Sequence, residues 1–375
     1  MEKHLHIICF TVPYPINYGG VYDLFYKLPA LQQQGIHIHL HCFDYGQGRQ
    51  PMLEQYCIEV QYYRRNTGTG ALSAQLPYIV SSRRNSSLLS NLLKDDYPIL
   101  MEGIHCTYLL NDARFTGRKT FIRLHNVEYL YYKSLFKTTS NPVKKMYYYA
   151  ESKLLKRYET RVASAGTPVF TVSPGDRHIY QHLPGAGIVE YLPLFLPGDW
   201  KAKSFTGMGA YCLYHGDLSI AMNEKAALWL VKLFNNIDVP LVIAGKQPPG
   251  RLARMISAND NIRLVANPTR EAMQRLIAGA HINILPSFSN TGIKIKLLNA
   301  LFNSRHCLVN TPTVFGTGLE ELCHVIDTAE GMKQRIEALY HQPFTTQENK
   351  HRQQVLAQIF NNTETAKRLA GFIWP

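Results

Sequence analysis

No run of about 18 uncharged apolar residues occurs in the 375-residue chain, so no segment reads as a membrane-spanning helix. Low-complexity tracts are missing too, and with 46% hydrophobic residues the chain is not a disordered one. The start, Met1-Glu2-Lys3-His4-Leu5-His6-Ile7-Ile8-Cys9-Phe10, is too short and too interrupted for a signal peptide and reads as a first β-strand. A soluble, cytoplasmic protein is expected. The seven cysteines form no C-x-x-C pair and several lie in apolar runs, which argues against a zinc site or a disulfide framework and for reduced core thiols. A G-x-G-x-x-G turn is absent, and with it the nicotinamide dinucleotide fingerprint. Acid is scarce: 27 Asp and Glu against 40 Lys and Arg leave a net charge of +13, which favours an anionic partner such as a nucleotide phosphate, an anionic lipid or a nucleic acid. The adjacent carboxylates Asp95-Asp96 precede Tyr97-Pro98 and read as a turn rather than as a metal-binding pair.

What is present is alternation. Strand patterns at 4–10, 36–43, 99–101, 119–124 and 169–172 are separated by helical ones, including 21–34 and 141–163. The second half repeats the scheme with strands at 211–214, 241–244, 262–265, 282–285 and 307–310, and helices at 224–234, 270–279 and 294–302. This is the pattern of an α/β protein with parallel sheets, here two Rossmann-like doubly wound domains facing across a cleft. Prolines and glycines at 191–209 read as an interdomain linker. The expected division is an N-terminal domain 1–200, a C-terminal domain 207–345, and a final helix 346–375 that crosses back to the first domain. Ligands of such sheets bind at the carboxyl ends of the strands.

Four loops at those ends draw attention. Pro13-Tyr14-Pro15-Ile16-Asn17-Tyr18-Gly19-Gly20 follows the first strand and precedes a helix, so Gly19 and Gly20 allow close backbone approach to a ligand; a plain tight turn explains it equally. Ile122-Arg123-Leu124-His125-Asn126 ends a strand, placing His125 and Asn126 at the edge. Asn126 suits the N-cap of a helix starting near Val127, whereas His125 has less structural reason to be there. Leu285-Pro286-Ser287-Phe288-Ser289-Asn290-Thr291-Gly292-Ile293-Lys294-Ile295-Lys296 turns at Gly292 and opens a helix with Lys294 and Lys296 in its first turn. Lysine there opposes the helix dipole unless an anion occupies the site, so free amides and two ammonium groups make a diphosphate cradle. Gly216, in Tyr214-His215-Gly216-Asp217, again permits a phosphate or simply a turn.

These segments, in this order, resemble the GT-B glycosyltransferases, specifically the retaining family 4 group that uses sugar nucleotides, over nearly the whole chain. The resemblance implies that the N-terminal domain takes the acceptor and the C-terminal domain the nucleotide sugar. It implies that Gly19 and Gly20 line the donor diphosphate, with Gly20 near the reaction centre, that His125 contacts the transferred sugar, and that Lys296 grips phosphate with Lys294 at the rim. Asn126, Gly216, Gly292 and Ile293 would complete the substrate contacts. The block from Thr291 to Asn299 has the spacing of the family's E-x7-E motif, but both glutamates are replaced, by Thr291 and Asn299. Threonine and asparagine still bond hydroxyls, without charge assistance. Asp217 stands where many members carry an arginine on the diphosphate.

The expected function is therefore a retaining glycosyltransferase. It would move a hexose, mannose among the choices, from a nucleoside-diphosphate sugar to a hydroxyl of a cell-envelope or capsular glycan, without metal or other cofactor. Loss of both glutamates motivates an alternative, a non-catalytic GT-B protein that binds a sugar nucleotide or glycan as a scaffold. The basic, tyrosine-rich stretch 144–158 points to an anionic membrane surface, and so to a peripheral place on the inner face of the cell membrane or to a lipid-linked acceptor; a solvated helix packed on the sheet explains it as well. Nucleic acid is not expected, since no binding motif accompanies the charge.

Overall fold

The computed structural model describes residues 2–16, 19–139, 141–200, 204–289 and 292–375. It divides into two compact units, residues 1–197 with 360–375, and residues 198–359.

The first unit begins with β1 (Lys3–Cys9), α1 (Tyr22–Gln32), β2 (Ile36–Asp44), β3 (Glu59–Arg64), β4 (Ile99–Glu102), β5 (Thr120–Leu124), α2 (Glu128–Thr138), α3 (Pro142–Ala163), β6 (Val169–Thr171) and β7 (Val189–Tyr191). The second unit carries β8 (Cys212–Asp217), α4 (Ala221–Phe234), β9 (Leu241–Lys246), β10 (Ile262–Ala266), β11 (Ile282–Ile284), α5 (Ile295–Asn303), β12 (His306–Val309), β13 (His324–Val325) and α6 (Thr346–Ile359). The chain then returns to the first unit with α7 (Asn362–Ile373).

Both sheets are parallel throughout. Their strand orders are β3-β2-β1-β4-β5-β6-β7 and β10-β9-β8-β11-β12-β13. In each, strand order reverses beside the first strand, between β1 and β4 and between β8 and β11. That is the point at whose carboxyl edge doubly wound sheets bind ligands. The apolar strand runs are long because helices cover both faces: Leu5, Ile7, Ile38 and Leu40 pack with Leu24, Leu28 and Leu31 of α1, whose apolar stripe recurs every three to four residues.

Three strands escape the sequence pattern, β3, β7 and β13. They lie at or next to sheet edges and are short or half-buried, so the apolar signal that marks a covered strand is weak in them. The stretch 346–375, expected to be one helix, is two. A break at residues 360–361 leaves α6 in the second unit and sends only α7 to the first. There Ala366, Leu369, Ala370 and Ile373 join the core beside α1. The proline-rich segment expected as a linker is not loose either. Leu192, Leu194, Phe195 and Leu196 are buried, and the Asn362 amide pairs with both backbone groups of Leu196, at 3.0 and 2.8 Å.

One face of β1 and β2 is lined with histidine. The register pairs His4 with His37, His6 with His39 and Ile8 with His41. Diagonal ring contacts join His4 to His39 at 3.0 Å and His6 to His41 at 2.9 Å. Each such bond needs one donor and one acceptor nitrogen, so at least one ring of each pair is neutral. The outer ends of these chains rest on Asp95, Glu59 and the Tyr63 hydroxyl.

Candidate functional site

In the first unit the site grows from the carboxyl ends of β4 and β5. Glu102 ends β4 and His125 follows β5, with His125 Nε2 2.8 Å from Glu102 Oε2. A carboxylate only accepts, so Nε2 carries a hydrogen, and Nδ1 is the ring nitrogen left for a ligand. Beneath this pair lies a buried ion network. The Lys27 ammonium donates to Glu102 and to Asp23 (3.0 Å), and Arg123 grips Asp23 through two bonds of 2.6 and 2.7 Å. Arg123 also donates to the carbonyls of Leu192 and Pro193, and Phe195 N–H donates to Asp23. Burial by itself would push both carboxyls up. Arg123 and Lys27 outweigh it at Asp23, and Lys27 and His125 outweigh it at Glu102, so both are held below the ordinary carboxylate range.

Asp23, Glu102 and His125 place one ligand-type atom each within 4.8 Å of one another, a spacing that suits a divalent cation. The Lys27 ammonium already bonds both carboxylates, and with Arg123 it neutralises them. The donor set is thus satisfied by the chain's own cations and does not fit a resident metal. Sequence reading singled out His125 but not Asp23, Lys27, Glu102 or Arg123. Their signal was there: Arg123 and Glu102 interrupt apolar strand runs, and Asp23 and Lys27 stand four apart on a helix face that is otherwise apolar.

Asn126, expected as a substrate contact or else as a helix N-cap, does not take the cap position. The helix starts at Glu128 with Val127 as its N-cap and without a side-chain cap, and the Asn126 amide reaches Glu128 only at 3.5 Å. Gly19 and Gly20 begin a single 3₁₀ turn that leads into α1. Glu128 and Glu159 are buried nearby, pushed up to about 7 and about 8 by burial.

In the second unit Gly216 is not in a turn after the strand. It lies inside β8, paired with Gly245, where a Cβ on Gly245 would stand 1.9 Å from the Gly216 carbonyl oxygen. That approach, rather than a ligand, explains a glycine at 245. Asp217 accepts from Ser219 N–H and Oγ at 3.0 and 2.6 Å and so shapes its own turn.

Gly292 has a φ of +62°, the left-handed conformation that glycine favours. Lys294 is the N-cap residue of α5 in an extended conformation rather than part of its first turn, and its ammonium folds back to the Gly292 carbonyl at 3.0 Å. The helix has no side-chain cap, so its first N–H groups remain available to an anion. Lys296, in the first turn, points its Nζ at Asn223 Oδ1 (3.2 Å) and the Tyr214 hydroxyl (3.3 Å) and sits 4.7 Å over the Tyr214 ring. No carboxylate pairs with it among the described residues. Burial, helped by the nearby Lys294 charge, brings Lys296 down to about 7. His215, whose Nε2 has no partner among the described residues, is brought down to about 3 by burial and by Lys296. Asn299 is buried, and its Oδ1 already accepts from Asn303 at 2.9 Å, leaving its amide N–H groups for a ligand. Ile293 is partly buried beside Gly292. Thr291 lies outside the described residues.

The structure thus brings Gly216, Gly292, Lys296 and Asn299 to one edge of the second sheet, and His125 and the Gly19-Gly20 turn to the same edge of the first. Solved structures share this architecture over the full chain. HepE from Anabaena, crystallised with UDP and glucose, has a TM-score of 0.67 at 11% identity, covering 98% of this chain and 99% of its own. TarM reaches 0.70 at 9% identity, covering 100% and 99%. A glycosyltransferase from Rickettsia africae ESF-5 reaches 0.68 at 12% identity, covering 100% and 98%. The fold is that of the GT-B glycosyltransferases. At the level of sequence the chain is similar to a Klebsiella pneumoniae protein described as an uncharacterized 44.6 kDa protein in cps region, 25% identical over 385 residues, covering 94% of this chain and 98% of that one. No protein-family model matches the chain. No helix among the described residues is long and apolar enough to cross a membrane.

Proposed function

We propose that the protein is a retaining, metal-independent glycosyltransferase that moves a hexose from a nucleoside-diphosphate sugar to a hydroxyl of a cell-envelope or capsular glycan. One observation carries this reading: the half-buried Lys296 ammonium, with no carboxylate beside it among the described residues, next to a helix N-terminus without a side-chain cap at the switch-point edge. A buried cation without a counter-ion is costly until an anion arrives. As the sugar–phosphate bond breaks, negative charge grows on the leaving diphosphate, and Lys296 with the first amides of α5 would stabilise it in place of a metal ion. His125, oriented by Glu102, would offer Nδ1 to a hydroxyl of the sugar. HepE in complex with UDP-glucose supports the donor class, and the relative in a cps region supports a glycan of the envelope.

A thermal-shift series with UDP, GDP and their sugars tests the reading. Ligand at about 100 times its Kd should add roughly 2.7 kcal/mol of apparent stability, and Lys296→Met should remove most of the response. No response to any nucleoside diphosphate would overturn it. The scaffold reading keeps one observation in its favour, since Asn299, where the family has an acid, has its side-chain oxygen held by Asn303; binding without transfer or hydrolysis would select it.

A peripheral place on an anionic membrane fits the outer face of α2 and α3. Lys133, Lys137, Lys144, Lys145, Lys153 and Lys156 are exposed there with Val143 and Met146, while Glu128, Glu151 and Glu159 of the same helices are buried. Co-sedimentation with anionic vesicles at low salt tests this, and failure to bind them would refute it.

A further inference from the structure

Two arginines of the first unit, equally out of reach of bulk water, have opposite circumstances. Arg123 is locked to Asp23 by two bonds and is held above its ordinary value, burial being overcome by that carboxylate. Arg83 is also buried, yet its partners are neutral: the Phe10 and Ile79 carbonyls and the Tyr45 hydroxyl. Burial lowers it. Nearby, Arg65 donates Nε–H to Ser82 Oγ at 2.8 Å and stacks its guanidinium over Tyr78 at 5.1 Å and Tyr45 at 5.7 Å. Its terminal amino groups have no partner among the described residues.

The placement is specific. Phe10, Tyr45 and Arg65 are the first residues after β1, β2 and β3, so parallel strands bring all three to the carboxyl edge. The Tyr45 oxygen accepts from Arg83, which leaves its O–H hydrogen to donate outward. Arg65 presents a planar fork suited to a carboxylate or phosphate, and Arg83 adds a fixed positive charge beneath. The two carboxyls closest in effect, Glu128 beside Arg83 and Glu151 beside Arg65, are each pushed up to about 7 by burial, so neither is a full counter-charge at neutral pH.

We propose that this edge is an anion subsite of the acceptor, formed by Arg65 and the Tyr45 hydroxyl over Arg83, so that the acceptor is an acidic glycan or a phosphorylated one rather than a neutral sugar. The proposal rests on the glycosyltransferase reading for the word acceptor, but its test does not. The full-length Lys296→Met protein, whose phosphate cradle is removed, is titrated by calorimetry with glucose, glucuronic acid and glucose 6-phosphate. At least one anionic sugar should bind about tenfold or more tightly than glucose, and Arg65→Ala should abolish that gain while Arg65→Lys restores part of it. A gain for glucuronic acid assigns an acidic glycan, and a gain for glucose 6-phosphate a phosphoryl-bearing, carrier-linked one. Equal binding of all three sugars, binding of none, or an anion gain that survives Arg65→Ala would overturn the proposal. A wild-type response to UDP with no anion gain here would leave the enzyme reading standing and remove only this subsite.

Discussion

The two units share a topology but keep their charges differently. In the first, the switch-point edge is self-neutralised: Asp23 and Glu102 face Lys27 and Arg123, and His125 rests on Glu102. In the second, the corresponding edge has a half-buried Lys296 and a buried neutral His215 with no carboxylate answering either among the described residues. The same fold thus makes one rigid platform and one place prepared for negative charge. A group whose partner is built in stabilises the chain, whereas a group whose partner is a ligand holds stability back until binding.

Removing one cation from each unit breaks the comparison most sharply. Arg123→Met should take the two-bond partner from Asp23, leaving it Lys27 and the Phe195 N–H, and free the Leu192 and Pro193 carbonyls, at a cost of about 3 kcal/mol in urea unfolding. Lys296→Met, in contrast, removes a charge that has no counter-ion, so unliganded stability should stay the same or rise while the response to UDP is lost. Destabilisation by both changes would show that Lys296 is structural. In the wild-type protein UDP affinity should fall as pH rises above 7, approaching tenfold per unit, because the bound diphosphate needs the protonated ammonium and the free site has lost it. Isothermal titration between pH 7 and 9, where the β-phosphate is already ionised, checks the slope.

A smaller effect separates the units by pH. Glu128, Glu151 and Glu159 are pushed up to about 7, 7 and 8 by burial. Their stabilisation is fully present below the unfolded carboxyl value and is lost as pH rises through the folded one. His6 and His41 in the first unit, and His215, His306 and His324 in the second, are lowered by burial. They bind protons when unfolded that they refuse when folded, so stability falls as pH drops below about 6.5. Between pH 6.5 and 8 the first unit should therefore lose on the order of 1–3 kcal/mol, whereas the second should gain about 1 kcal/mol, because Lys296, brought down to about 7, gives up its proton when folded and keeps it when unfolded. Amide exchange corrected for intrinsic rate, followed in β5 and in β9, measures both; parallel losses would contradict the assignment. Last and smallest, Asn362→Ala should cost about 1–2 kcal/mol by leaving both Leu196 backbone groups unpaired in the first unit. Thermal unfolding checks it.

The edge residues were legible because strand ends show in sequence: an apolar run stops, a glycine turns, a helix starts. That logic located His125, Gly292 and Lys296. It failed where a side chain's meaning lies in a distant partner. Lys294 and Lys296 look alike as a pair, yet one stands at the N-cap position and returns to Gly292 while the other is drawn under Tyr214. Nothing local in the sequence marks Arg65, Arg83 or the histidines of β1 and β2, because their partners lie on other strands and helices.

What the sequence determined by itself is the alternation of strand and helix, and hence two parallel sheets with ligand edges at known loops, since period and punctuation are local properties of the chain. Only tertiary structure decided which charges are answered. Asp23 and Arg123 stand 100 residues apart, and no local rule pairs them; the sheet register and the packing of α1 do. Whether a buried ion is a strut or a binding site depends on that pairing alone. In the low dielectric of the interior, gaining or losing one partner changes the energy of such an ion more than any other neighbour does.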